Sequence, residues 1–125
     1  MIKVIVAGGR GFTDREGLLK AFHDFMEPYK NEQIVIVSGG ARGADAIGEW
    51  IGKEYGITTV IMRAQWDKFG KSAGYRRNEQ MAQYATHLLA AWDGASKGTK
   101  HMIDLAKQYG LITQIHSYQG ESVEC

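Results

Sequence analysis

The sequence predicts an α/β fold, a three-layer sandwich with a parallel sheet of about five strands. Three observations predict it. Five short apolar runs are rich in Val, Ile and Leu and mostly continuous rather than alternating, the pattern of strands covered on both faces. Amphipathic stretches of helical spacing separate those runs. Glycine-rich links join the two kinds of segment, and strand–helix alternation in this order implies right-handed crossovers between layers.

The elements follow in order. The run at 2–7 leads through GGRGFTD (8–14) into a helical pattern at 14–27, where Leu18, Leu19, Phe22, Phe25 and Met26 recur on one face. Thr13, with Glu16 three residues on, reads as a capping box. The second run, 34–38, passes through SGGARGAD (38–45) into a helix at 43–55 bearing Ala46, Ile47, Trp50 and Ile51. A third strand at 58–62 precedes RAQWDKFGKS (63–72), long for such a connection and read as a flap because it holds Trp66, Phe69 and two lysines. A helix at 73–85 begins AGYRRNEQ. A strand at 87–92 then feeds WDGASKGTK (92–100) into a helix at 97–109, and a last strand lies at 112–116. Gly56 and Gly110 stand where helices should stop. With no linker, repeat or low-complexity segment, 1–117 reads as one domain and 118–125 as a frayed tail.

Composition narrows the function classes. At 44% hydrophobic and 23% charged, the chain lies in the globular range. No apolar stretch approaches the roughly 20 residues of a membrane span, so no membrane partner is expected. The N-terminus lacks the features of a signal peptide. The one cysteine, Cys125, permits no internal disulfide, so a cytoplasmic location is expected. A net charge of +1 argues against gripping nucleic acid by bulk charge. Nevertheless Arg10, Arg15, Arg42, Lys68, Lys71, Arg76, Arg77, Lys97 and Lys100, nine of fifteen basic residues, lie in or beside the glycine-rich links. They are either solvated loop charges or a locally positive site.

In an open parallel sheet, ligands bind beyond the carboxyl ends of the strands, where four distinctive loops leave: 8–14, 38–45, 63–72 with the helix start AGYRRNEQ, and 92–100. Gly8, Gly9 and Arg10 form the first. In the second, Ser38 ends a strand, Gly39 and Gly40 suit an anion nest, and Arg42, Gly43 and the helix start would complete it. The fourth repeats the device with Asp93, Gly94, Ser96, Lys97, Gly98 and Thr99. A dinucleotide fingerprint would need glycine where Asp14 stands, and a P-loop would need a different order from Lys97-Gly98-Thr99. Ordinary dehydrogenase and Walker-type readings therefore fall. Asp45 serves either the helix dipole or a ribose. Arg76 and Arg77 oppose the dipole of their helix, so they answer either an anionic ligand or Glu79 and Asp67; Asn78 adjoins them. Trp66 is the best candidate to cover a base, with Phe69 and Tyr75 as further candidates, and Trp92 is either core or stacking surface. His23, His87 and His116 have no metal-ligand spacing, and His101 lies nearest the site. No metal and no cofactor beyond a nucleotide-type ligand is expected.

Through GGRGFTD, VSGGARGAD, GYRRNEQMA and WDGASKGTKHMID the chain resembles the SLOG superfamily, a Rossmann-like group. Within it the chain is most similar to the small, single-domain YspA-like (YpsA-related) family, over nearly its whole length. Two branches carry different implications. The DNA-processing-A (Smf) branch is similar at Gly8-Gly9-Arg10 and at 38–45, which implies single-stranded DNA in that pocket. The LOG-type phosphoribohydrolases are similar at Arg77 and Met81 and from Gly94 to Thr99, which implies cleavage of the N-glycosidic bond of a nucleoside monophosphate by that arginine and a glutamate. Here the chain departs: Lys100, His101, Met102 and Ile103 follow Thr99, and no carboxylate comes before Asp104. Such cleavage needs a carboxylate to stabilise a cationic sugar. The residues therefore leave hydrolysis open, with Arg77, Asp45 and Glu79 as candidates. The resemblance further implies a homo-dimer or higher oligomer, a nucleotide or derivative as ligand, and single-stranded nucleic acid as the alternative.

Overall fold

The computed structural model describes residues 1–119. One five-stranded sheet has the order β3-β2-β1-β4-β5, with β1 at Ile2–Gly8, β2 at Ile34–Ser38, β3 at Thr58–Ile61, β4 at His87–Trp92 and β5 at Ile112–Ser117. Every neighbouring pair is parallel. The helices are α1 (Arg15–Met26), α2 (Ala44–Tyr55), α3 (Trp66–Phe69), α4 (Ala73–Tyr84) and α5 (Lys97–Gln108). Except for α3, each lies within one or two residues of its predicted place.

The continuous apolar runs have their cause in this layering. Successive side chains of β1 point to opposite faces. Val4 and Val6 pack with Ile36 and Leu89 against Leu18 and Phe22 of α1 and Ile47 and Ile51 of α2. Ile5 and Ala7 pack with Val37 and Leu88 against Met81 of α4 and Met102 and Ile103 of α5. Burial of a side chain such as Phe22 or Leu18 contributes about 1.5–3 kcal/mol. The edge strands have no such double cover, and Ile112 on β5 is half-exposed.

Strand order also places the crevice. The chain runs outward from β1 through β2 to β3, then returns to lay β4 on the other side of β1. Crossovers therefore diverge where Gly8 pairs with Ala91, at the carboxyl ends of β1 and β4. Gly43, with φ of +78°, lets α2 start hard against the β1–α1 loop: Ala44 N–H donates to the Gly9 carbonyl at 3.2 Å, which a Cβ on Gly43 would strike.

Three expectations change. The cap of α1 is Asp14, not Thr13: its Oδ1 accepts from Gly17 N–H at 2.9 Å, while the Thr13 carbonyl takes Arg15 N–H. Glycine at the third helical position cannot reciprocate, so there is no capping box. The segment 63–72, expected as a long connection, carries helical structure: α3 and a 3-10 turn, Gly70–Ser72, run into α4. Tyr118, placed in the frayed tail, packs its ring on Phe12 at 4.6 Å between centroids and donates its N–H to the Trp92 carbonyl. The rest of that predicted tail, 120–125 with Cys125, lies outside the described residues. Among the described residues, no helix is long and apolar enough to cross a membrane.

Candidate functional site

A cleft of about 480 Å³ opens over the carboxyl ends of the central strands. Ala7 and Gly8 form its floor, Asp45 and Arg10 one side, Arg77 and Tyr75 of α4 the other, and the first turn of α5 its end. Trp66, half-exposed, stands at the mouth.

Arg77 and Asp45 dominate the electrostatics. Arg77 Nη1 donates to the Gly39 carbonyl at 2.5 Å and its Nε to Asn78 Oδ1 at 3.1 Å. Asp45 is 5% exposed and its Oδ2 accepts from Ala41 N–H at 3.3 Å. Burial pushes the Asp45 carboxyl above its ordinary range, against the pull of the Ala41 amide and the Arg77 charge. Burial also lowers Arg77, which Asp45 opposes and Arg10 reinforces. A Cβ at position 39 would stand 2.6 Å from Arg77 Nη1 and 2.7 Å from Asp45 Oδ2, so any larger residue must displace the ends of those two side chains.

This arrangement corrects the expected anion nest at Gly39 and Gly40. The Gly40 N–H donates to Ser38 Oγ at 3.0 Å, and the Ala41 N–H is taken by Asp45. The loop amides turn inward because a buried carboxylate in the first turn of α2 must be hydrogen-bonded. Ser38 is wholly buried and its hydroxyl donates to Glu49 Oε2 at 2.6 Å, so it supports the loop from beneath rather than meeting a ligand.

The α5 loop differs. Asp93 Oδ1 accepts from Ala95 and Ser96 N–H at 2.9 and 2.8 Å, bonds that hold its carboxyl below the usual range and fix the turn. Ser96, the N-cap residue, makes no side-chain bond to a helix amide; its hydroxyl lies 3.2 Å from Thr99 Oγ1. The first turn of α5 is therefore uncapped by any side chain where Ser96, Gly98 and Thr99 line the cleft. Asn78 ties this turn to α4: its Nδ2 reaches the Gly98 carbonyl at 3.4 Å and His101 Nδ1 at 3.1 Å. Burial lowers the His101 pKa, favouring the neutral ring that accepts from Asn78, and Tyr75 packs on that ring at 4.4 Å.

Of the predicted residues, Gly8, Arg10, Asp45, Trp66, Arg77, Asn78, Ser96, Gly98 and Thr99 meet at the cleft. Gly39, Gly40 and Arg42 line an adjoining depression. Others are elsewhere. Gly9 lies against the Tyr118 hydroxyl and Gly43 against the β1–α1 loop. Arg76 lays its guanidinium over Phe69 at 4.3 Å and donates to Ser72 Oγ, answering neither Glu79 nor the cleft. Glu79 accepts from the Tyr109 hydroxyl at 2.7 Å on an exposed face. Asp93, Gly94 and Lys97 flank the cleft without lining it. Trp92 braces the α5 loop, its Nε1 donating to the Ser96 carbonyl at 3.1 Å. Asp104 is exposed and paired with Lys100 at 2.8 Å. Arg63 and Met102 were not singled out as site residues. Arg63 follows the carboxyl end of β3, the edge of the sheet that carries the cleft, and that position was its available signal. Met102 is a core residue by helical spacing that also lines the cleft.

Known proteins share this architecture. The structure superposes on the X-ray structure of DNA processing protein A (DprA) from Streptococcus pneumoniae with a TM-score of 0.72 at 20% identity. The match covers 92% of this chain and 50% of that one, so the chain spans half the neighbour's length and shares its fold. The Gene 61 protein of Mycobacterium phage D29 is 34% identical over 119 residues, covering 89% of this chain and 93% of that protein. The model of the YspA, cpYpsA-related SLOG family (YAcAr) matches residues 2–69. With more than half its length matched by that model and a full-length relative above 30% identity, the chain belongs to the YspA, cpYpsA-related SLOG family.

Proposed function

We propose that the protein binds a nucleotide or nucleotide-derived ligand in this cleft. One observation carries the reading: a helix start without a side-chain cap and a half-buried arginine converge on a cavity sized for a small ligand. In this reading the phosphate meets the Gly98 and Thr99 amides, with Arg10, Lys71 and Arg77 supplying charge. Trp66 and Tyr75 offer faces to the base, and Asp45 accepts from a ribose hydroxyl. The test is thermal stability against a panel of nucleotides, NAD fragments and cyclic nucleotides. A ligand at a hundredfold its Kd adds about 2.7 kcal/mol, roughly 10 °C for a domain of this size. No stabilisation by any of them at millimolar concentration removes the reading.

N-glycosidic cleavage, if attached to this site, rests on Asp45, the one carboxylate on the cleft among the described residues, acting with Arg77. Release of free base from a bound nucleoside monophosphate, followed chromatographically in wild type and Asp45→Asn, tests it. The alternative occupant, single-stranded nucleic acid, is supported by the basic rim of Arg10, Arg42 and Arg77 and by the name of the fold neighbour, DNA processing protein A. It requires a fall in affinity with salt of slope near −0.7 per phosphate neutralised. A homo-dimer or higher oligomer in the cytoplasm completes the reading, and light scattering of the purified chain tests the assembly.

A further inference from the structure

A second depression, of about 350 Å³, adjoins the cleft across Ala41, Trp66 and Arg77. Arg10, Arg42, Arg63 and Arg77 line it, and no carboxylate does. Among the described residues, no arginine forms a salt bridge. Two of the four are held in place by backbone: Arg63 Nη1 donates to the Gly40 carbonyl at 3.2 Å, and Arg77 Nη1 to the Gly39 carbonyl. Asp45, behind Gly39 and Ala41, opposes only part of this charge. Guanidinium forks match phosphate oxygens, and a concavity lined by one sign of charge focuses its field on an incoming anion.

We propose that this depression is a second phosphate subsite, so that the ligand carries at least two phosphate groups. One sits at the start of α5 and the other among the four arginines. The inference rests on the nucleotide reading of the cleft and sharpens it, because a single phosphate held at α5 leaves Arg42 and Arg63 without an anionic partner. Trp66 lines both compartments and is placed to cover the part of the ligand that joins them.

Calorimetry tests this with AMP, ADP, adenosine 3′,5′-bisphosphate, the 5′-phosphorylated dinucleotide pApA and inorganic pyrophosphate. The proteins are wild type and the Arg42→Gln/Arg63→Gln double variant, its fold checked by thermal melting. Neither substituted residue lines the cleft. At least one two-phosphate nucleotide should bind wild type about tenfold or more tighter than AMP, and the double variant should lose that gain while AMP stays within about twofold. A gain for ADP identifies a diphosphate, a gain for the bisphosphate a nucleotide phosphorylated at both ends, and a gain for pApA alone a strand end. Equal binding of all four nucleotides, or equal loss of AMP in the double variant, overturns the proposal. If AMP fails to bind wild type, the cleft reading fails separately. Pyrophosphate binding that the double variant abolishes then upholds the anion subsite, and no pyrophosphate binding at about 10 mM overturns it.

Discussion

Gly98→Ala separates binding from stability. Gly98 is the second residue of α5, it lines the cleft, and a Cβ built on it meets no heavy atom within 4 Å. Its φ is not positive, so alanine adopts the same backbone without strain. Alanine is favoured over glycine by about 0.5–1 kcal/mol inside a helix. The gain in a first turn lies at the low end, and about 0.5 kcal/mol corresponds to a rise of roughly 2 °C. The same methyl occupies the space through which a phosphate must approach the α5 amides. Loss of one charge-assisted hydrogen bond costs about 1.5–3 kcal/mol, or roughly tenfold to 150-fold in affinity. The assays are a thermal melt without ligand and calorimetry with the tightest nucleotide of the panel. Unchanged or raised stability with affinity lowered at least tenfold is the expected pair of results. Raised stability with affinity unaltered would refute the placement of phosphate on α5.

Gly39→Ala should behave differently, since its methyl displaces Arg77 Nη1 from 2.6 Å. A urea melt should show a loss of about 1–3 kcal/mol from overpacking, together with weakened nucleotide binding. Trp66→Ala should leave the melt within about 0.5 kcal/mol because the ring is half-exposed. Calorimetry should show nucleotides losing about 1–3 kcal/mol of stacking, with inorganic phosphate unaffected. His87 is buried with its Nε2 unpartnered, and burial lowers its pKa below the ordinary value of 6.5. The unfolded chain therefore takes up a proton in a pH range where the native chain does not. Stability should fall as pH drops below about 6.5, and His101, shifted in the same direction, adds to the fall. His87→Leu should remove the His87 share, read as a shallower decline of melting temperature between pH 7 and the lowered native pKa. An unchanged pH profile contradicts the assignment.

The sheet was legible because β1 and β4 are buried on both faces, and that burial writes itself as an unbroken apolar run. The sheet edge that carries the cleft was legible from glycines and basic residues clustered at strand ends. The direction in which a loop's amides point was not. A glycine-rich loop after β2 has the same composition whether Gly40 and Ala41 face a ligand or face Ser38 and Asp45. The adjacent arginines of α4 were likewise indistinguishable: Arg77 reaches the Gly39 carbonyl and the cleft, while Arg76 stacks on Phe69 of α3. Glu79 is instructive in another way. Two residues beyond Arg77 on a helix is about 200° around the axis, so its exclusion from the cleft was available from the helical period.

The central claim is that a phosphate-bearing nucleotide occupies the cleft between Trp66, Arg77 and the start of α5. The most direct measurement is an amide and side-chain NMR titration of the ¹⁵N-labelled protein with the tightest nucleotide of the panel. Saturable shifts that include Gly98, Thr99, the Arg77 Nε–H and the Trp66 indole N–H are the predicted result. Shifts absent there, or centred on another surface, would contradict it.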